Sequence, residues 1–385
     1  MRALHLASFN GNVGDHINHV GFWRLFKENI YSNIEVTELE IREFYKSWGM
    51  RVFDQEFVTF VNSFDLFVVG GGNFFDIKWD YSRTGTTIDI PTDLLKQIKI
   101  PIVFNGMGVD TSDKTTIDEI NKFGEFISYC NSNDRIILSV RNDGSKEMLE
   151  KLYSKDIINS VIEIPDGGFF TFSESYYHPE LKDGATNIAI NIAKDSINIR
   201  WPYAGYSYDS FCYEIADFLE KSSCEIDNIH FVFVAHIPSD IDAISDILKR
   251  TSDIICRNNI SVAPYVTGSK TNGDYIIDLY RKVKTSIAMR YHANICSIAM
   301  GTPTIGIVTF PKHKELYQKI GLENRLLDVS NGEFVNVLLD RLVVTLKNQQ
   351  RLREENRSLL SVFDDSVKEY LIRIKKVIEN SEQLF

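Results

Sequence analysis

The stretch SIAMRYHANICSIAMGTPTIGIV (residues 286–308) decides the fold. Ser286–Met289 and Thr304–Val308 are short β-rich runs, and Ala293–Met300 between them reads as a helix. Strand, helix, strand in that order predicts two parallel strands in one sheet, because a parallel pair needs a crossover and the crossover is usually a helix.

The same alternation extends outward in both directions. Upstream in this half lie strands Ile188–Ile192, Phe231–Ala235 and Ser261–Val266, with helices near Tyr208–Lys221, Ile241–Lys249 and Tyr275–Val283. The first half offers strands Ala3–Ser8, Glu35–Leu39, Leu66–Val69, Ile102–Asn105, Ile136–Val140 and Val161–Ile164. Its helices begin near Gly14 and cover Thr115–Cys130 and Ser145–Tyr153. The pattern pauses over Phe169–Gly184, and from Phe334 to the end it is helical and charged. The expected architecture is α/β, with two Rossmann-like domains, 1–175 and 185–345, and a helical tail, 346–385. That is a GT-B-like arrangement, in which ligands bind beyond the carboxyl ends of the strands, here in the cleft between the domains.

Composition agrees with a folded globular chain and narrows its partners. The 385 residues are long enough for two domains. Forty-two basic and 53 acidic residues give a net charge of −11, the wrong sign for a general nucleic-acid binder. An anionic substrate therefore requires a locally basic pocket. The five cysteines, Cys130, Cys212, Cys224, Cys256 and Cys296, show no CxxC spacing, which argues against a disulfide framework and a zinc site. The N-terminal apolar run stops at Ser8, too short for a signal peptide, and no apolar run is long enough to span a bilayer. The expected location is the cytoplasm, a reading that leaves room for peripheral contact with the inner face of the membrane. No particular oligomeric state is indicated.

Chemistry-bearing residues collect at the strand ends. Asn10-Gly11-Asn12-Val13-Gly14-Asp15 joins a strand to a helix, Val69-Gly70-Gly71-Gly72-Asn73 follows another strand, and Asn105-Gly106-Met107-Gly108 a third. Bare backbone at such turns lets a ligand approach closely, and a helix start offers unpaired N–H groups. These three turns are expected on one rim of the first domain. The competing reading of each is a plain strand-to-helix turn. Neither glycine run fits a Walker loop or a dinucleotide fingerprint. Arg141 leaves a strand just before a helix and is either an anion clamp or a structural ion pair. Asp166 ends the last strand of that half and is either a site carboxylate or a turn cap. Arg290 and His292, two apart at a helix start, fit a small polyanion, and His292 can also deliver a proton near neutral pH. His236 with Asp240, and Arg200 with its aromatic neighbours, are lesser candidates, while His313 in Pro-Lys-His-Lys reads as a solvated charge cluster.

In order and spacing these segments resemble the polysaccharide pyruvyl transferase family. The resemblance rests on GNVGD (11–15), VVGGGNFFD (68–76), NGMGVD (105–110), SVRNDGS (139–145), PDGGF (165–169), VAHIPSD (234–240) and MRYHANICSIAMGTPTIGI (289–307). It implies a GT-B-like fold and transfer of pyruvate from phosphoenolpyruvate to a sugar, free or lipid-linked, forming a ketal. Phosphoenolpyruvate would be a co-substrate, with no cofactor and no metal. The family's Arg-x-His segment falls on Arg290 and His292. A further donor-binding arginine falls on Arg141, with Arg200 as the fallback. Tyr291 stands where many members carry an apolar residue, which would reshape the donor pocket.

For that chemistry His292 is expected to donate the proton or assist phosphate departure, and Asp15 or Asp166 to accept a proton from the attacking hydroxyl. Asn10, Asn12, Gly14, Gly71, Gly72, Asn73, Asn105 and His236 are expected to bind the acceptor or to line the cleft loops. Two rivals use the same fold. A nucleotide-sugar glycosyltransferase would need a base-binding site, yet the Glu-x7-Glu pair often seen there is not evident after Gly301-Thr302-Pro303. A non-catalytic scaffold would have no reason to keep Arg290, His292 and Asp15 together.

Overall fold

The computed structural model describes residues 1–266, 270–330 and 332–382. They divide into two compact units. Unit 1 comprises Met1–Phe9, Phe22–Gly167 and Phe363–Phe385, and unit 2 comprises Asn10–Gly21 and Gly168–Val362.

Unit 1 contains strands β1 (Arg2–Ala7), β2 (Glu35–Glu40), β3 (Leu66–Gly70), β4 (Phe75–Ile77), β5 (Ile102–Met107), β6 (Val109–Thr111), β7 (Ile136–Arg141) and β8 (Ile162–Ile164). Six of them form a sheet in the order β2-β1-β3-β5-β7-β8, and β4 pairs with β6 apart from it. Every pairing is parallel. β3, β5 and β7 are buried along their whole length, as near-continuous apolar strands covered on both faces should be. The helix Ile117–Asn131 supplies part of that cover. A capping box between Thr116 and Glu119 starts it, and Phe123, Phe126, Ile127 and Cys130 recur at helical spacing on its buried face.

Unit 2 repeats the design with β9 (Thr186–Asn191), β10 (Ile229–Phe233), β11 (Ile260–Val262), β12 (Thr285–Ala288), β13 (Thr304–Val308) and β14 (Leu326–Asp328). The order is β11-β10-β9-β12-β13-β14, again all parallel. Chain progression reverses between β9 and β12. In sheets of this kind ligands bind outside the carboxyl ends of the strands at that reversal.

The units depart from the expected boundaries in two places. Asn10–Gly21, and with it the Asn12–Asp15 turn, clusters with unit 2, whereas the other two glycine turns belong to unit 1. The expected tail is no separate body either. Helix Gln349–Glu382 divides at Val362, and Phe363 onward clusters with unit 1. Phe363, Val367, Tyr370, Leu371, Ile374 and Ile378 recur at helical spacing and are all buried. Tyr370 donates to Asn105 Oδ1 (2.9 Å) and lies 3.2 Å from the Ser139 hydroxyl. The end of the expected tail, residues 383–385, lies outside the described residues.

Candidate active site

In unit 2, β9 and β12 end side by side, with Asn191 opposite Ala288. Asn191 Oδ1 accepts the backbone N–H of Arg290 at 2.9 Å, tying the exit of β12 to its neighbour. Arg290 is the N-cap of helix Tyr291–Ala299, so His292 sits in the first turn, where backbone N–H groups have no intrahelical partner.

The guanidinium of Arg290 is held by two carboxylates. Nε donates to Asp240 Oδ2 at 2.6 Å, and Nη2 donates to Asp195 Oδ1 at 2.7 Å. Asp240 is fully buried, whereas the Asp195 side chain keeps 32% of its exposure. Arg200 Nη2 lies 3.2 Å from the same Asp195 oxygen, and Arg200 Nη1 donates to Thr309 Oγ1 at 3.1 Å. Two guanidiniums thus share one partly exposed carboxylate. Arg200, Arg290, Asp195 and Asp240 sum to zero formal charge, so the cluster becomes basic only when Asp195 turns away or is replaced.

Burial and charge push these groups in opposite directions. Burial opposes ionisation of Asp195, but Arg290 and Arg200 outweigh it and hold the carboxyl below its usual range. Burial presses Arg200 down to about 10, with Asp195 opposing and the Arg290 charge adding to the shift. Burial likewise works against the Arg290 charge, yet Asp240 and Asp195 more than offset it and raise the group. His236 is fully buried, and burial, then Arg290 and His292, keep it neutral. His313 corrects the expectation of a solvated residue. It is buried in helix Pro311–Lys319 and pushed down to about 3, by burial first and then by Arg200.

The N-terminal turn joins this cluster. Val13 N–H donates to the His236 carbonyl at 3.0 Å, and Tyr265 Oη donates to the Gly11 carbonyl at 2.8 Å. Asn12 Oδ1 accepts from Gly14 N–H (2.9 Å), and Asn12 Nδ2 donates to Asp15 Oδ2 (2.8 Å). Gly14 lies against the imidazole: a Cβ there would stand 2.8 Å from His292 Nδ1 and 3.0 Å from His292 Cβ. Tyr291 presents its ring edge-on to His292 at 5.2 Å between centroids. Asp15 is buried in the first turn of helix Val13–Asn29, and Asn10 is exposed at the start of the loop.

The remaining candidates form a second set, in unit 1. Arg141 Nε donates to Asp143 Oδ2 at 2.6 Å, and Arg141 Nη1 lies 3.7 Å from Asp166 Oδ2. Both carboxylates are fully buried. A Cβ on Gly108 would clash with Asn73 Oδ1 and stand 2.8 Å from Arg141 Nη2, so these two side chains converge on bare backbone. Gly71 N–H donates to the Asn105 carbonyl, and Gly72 O accepts from Gly108 N–H, each at 2.9 Å. Within unit 2, Arg200 is therefore the second arginine beside Arg290, while Arg141 is engaged by the acids of unit 1. Sequence reading passed over Asp195, Asn191 and Thr309. Each follows or ends a strand of unit 2, and that position was the available signal. Among the described residues, no cluster of three or more His, Cys, Asp or Glu could hold a metal ion, and no helix is long and apolar enough to cross a membrane.

The family description "Polysaccharide pyruvyl transferase" matches residues 12–309, a span that takes in the whole unit 2 cluster. The chain belongs to the polysaccharide pyruvyl transferase family. It is thus a polysaccharide pyruvyl transferase enzyme, and Asp15, Asp195, Arg200, Asp240, Arg290 and His292 all lie within the matched span. No curated protein matches the chain in sequence. Solved structures share its fold at low identity. Anabaena HepE, in complex with UDP and glucose, is 8% identical, with 100% of each chain covered and a TM-score of 0.52. The UDP-GlcNAc 2-epimerase of Methanocaldococcus jannaschii is 11% identical, covering 90% of this chain and 93% of its own, also at 0.52. S. aureus MnaA, solved with UDP, is 11% identical, with 97% of each chain covered and a TM-score of 0.51. At these identities the likeness concerns the fold alone, an α/β design of the GT-B type.

Proposed function

We propose that this enzyme transfers pyruvate from phosphoenolpyruvate to a sugar, as a ketal, and that the unit 2 cluster is where the donor binds. One observation carries the reading: three segments far apart in sequence, 12–15, 236–240 and 290–292, converge where the strand order of one sheet reverses, around two guanidiniums and an imidazole. Phosphoenolpyruvate carries a carboxylate and a phosphate, and Arg290 with Arg200 offers two cationic forks. Asp195 stands in the position that a donor carboxylate would take and is displaced on binding. Asp240 stays, because it is buried, accepts the His236 N–H at 2.9 Å, and caps its helix by accepting the Ile237 N–H.

The chemistry proceeds in balanced steps. His292 donates a proton to the methylene carbon of phosphoenolpyruvate, and C2 becomes oxocarbenium-like. A sugar hydroxyl attacks C2 and loses its proton to Asp15. The C2–O bond to phosphate then breaks, and phosphate leaves with the electron pair. A second hydroxyl of the same sugar closes the ketal and gives its proton to the now neutral His292. Asp15 suits the base role better than Asp166, because its loop packs on His292, while Asp166 is enclosed beside Arg141. Each proton-transfer group is expected to supply about 10²–10⁴-fold in rate. The acceptor is a sugar of a surface polysaccharide or of its lipid-linked precursor, and a lipid-linked acceptor would bring the enzyme to the inner face of the membrane.

The test is phosphate release from phosphoenolpyruvate with a library of free and lipid-linked glycans, read alongside product mass. Acceptor-dependent release with a mass gain of one pyruvate ketal supports the reading. Release that persists unchanged in both Arg290→Lys and His292→Gln overturns the residue assignment.

A further inference from the structure

Past the arginine cluster, the carboxyl edge of the unit 2 sheet continues into a pocket of about 400 Å³ beside β13 and β14. Two links of the chain join pocket and cluster. Tyr203, on the pocket wall, follows Arg200 by three residues on helix Ile197–Ala204, and residues three apart share a helix face. Val308, also on the wall, precedes Thr309, which accepts from Arg200.

The lining is chosen for hydroxyls more than for anions. Glu323 and Asp328 offer carboxylate acceptors, while Lys314 and Gln318, four apart on helix Pro311–Lys319, offer donors. One lysine against two carboxylates leaves the wall net negative, which disfavours phosphoenolpyruvate or phosphate there. Ser330 N–H donates to Asp328 Oδ1 at 2.9 Å and fixes that carboxylate's direction. Tyr203 is 42% exposed, so an aromatic side chain stands open beside the polar groups. Acceptors, donors and a bare aromatic face in one small cavity match a pyranose, whose hydroxyls both donate and accept and whose C–H face is apolar. The volume falls in the range of roughly 300–1,000 Å³ usual for small-molecule sites.

We propose that this pocket is a carbohydrate subsite, holding a pyranose of the acceptor glycan adjacent to the sugar that receives the pyruvyl group. The acceptor role rests on the pyruvyl-transfer reading above, whereas the sugar-binding role stands without it.

Two measurements on the full chain separate these. Saturation-transfer NMR with the methyl glycosides of galactose, glucose, mannose and N-acetylglucosamine, and with UDP as a further probe, reads binding without turnover. Steady-state pyruvyl transfer reads the KM of acceptor and of phosphoenolpyruvate separately. The variants are Tyr203→Ala, at an exposed ring, and Asp328→Asn, which keeps shape. At least one glycoside gives a signal with the wild type that both variants lose. Acceptor KM rises about tenfold in each, the loss expected for one charge-assisted contact at Asp328 or one aromatic contact at Tyr203, with the KM for phosphoenolpyruvate unchanged. If wild type transfers no pyruvate but binds glycosides in a variant-sensitive way, the subsite stands and the donor reading falls. Unchanged glycoside signals and acceptor KM in both variants overturn the subsite, as does a wild type that binds none of the glycosides. A UDP signal lost in Tyr203→Ala in place of a glycoside signal overturns it in favour of a nucleotide site.

Discussion

Replacing Gly14 by alanine probes the contact on which the proposed mechanism turns. The new methyl would stand 2.8 Å from His292 Nδ1, where ordinary contacts begin at 3.4 Å, so about 0.6 Å of movement is required. The methyl would also lie 3.0 Å from His292 Cβ and 3.1 Å from Asn12 Oδ1, so a ring rotation alone does not relieve it. The imidazole, the turn or both must shift. A misplacement of about 1 Å at a reacting group costs on the order of 10²-fold, so a shift of about 0.6 Å should lower kcat by roughly tenfold. Overpacking of this kind costs about 1–3 kcal/mol and lowers Tm by about 2–10 °C. The assay is phosphate release at saturating phosphoenolpyruvate and acceptor, alongside a melting curve. An alanine variant with wild-type kcat and Tm would refute the packing of the N-terminal turn on His292 and, with it, the place of Asp15 in the reaction.

Other perturbations reach different parts of the account. Asp195→Asn removes the carboxylate shared by Arg290 and Arg200. At about 4 Å and an effective dielectric near 20 a unit charge is worth about 4 kcal/mol, cut to about 1–1.5 kcal/mol for a side chain still partly in water, so KM for phosphoenolpyruvate should fall about tenfold. A raised KM would show that Asp195 orients the arginines instead of competing with the donor. Truncation after Val362 removes six buried apolar side chains from unit 1, each worth about 1.5–3 kcal/mol, a sum comparable to the whole stability of a domain. Limited proteolysis should then cut unit 1 first, and a protected unit 1 would contradict the assignment of the last helix. Asp278 is held down to about 2, since Tyr176 N–H, Arg281, His178 and Lys282 together outweigh the effect of burial. A depressed carboxyl stabilises above its unfolded value of about 3.9, and that contribution drains away as pH falls from about 4 to 2. Asp278→Asn should therefore flatten the loss of stability in that window, and an unchanged acid-unfolding profile would dismiss the network.

Much of the fold was legible because buried parallel strands leave plain traces. Leu66–Gly70 and Thr304–Val308 are apolar runs bounded by glycine or proline, and they appear as strands close to where they were expected. β14, β4 and β6, each of three residues, went unread, whereas the equally short β8 and β11 overlap the longer β-rich runs Val161–Ile164 and Ser261–Val266. The placement of Asn10–Gly21 was hidden for a different reason. Its neighbours along the chain belong to unit 1, while its partners, Tyr265 and His292, lie more than two hundred residues away. His313 misled because lysines flank it, yet the helix turns it inward between them. At the site, Arg290 and His292 could be picked out by type and spacing. Asp195 offered only its place after a strand, since its meaning comes from the two guanidiniums that the fold brings to it.

The most direct test of the central claim is the mass of a defined glycan acceptor after incubation with phosphoenolpyruvate and the wild-type enzyme, Arg290→Lys or His292→Gln. The account predicts a pyruvate ketal on the acceptor with the wild type and at least a hundredfold less with either variant. An acceptor left unmodified by the wild type, or modified equally by all three proteins, would contradict it.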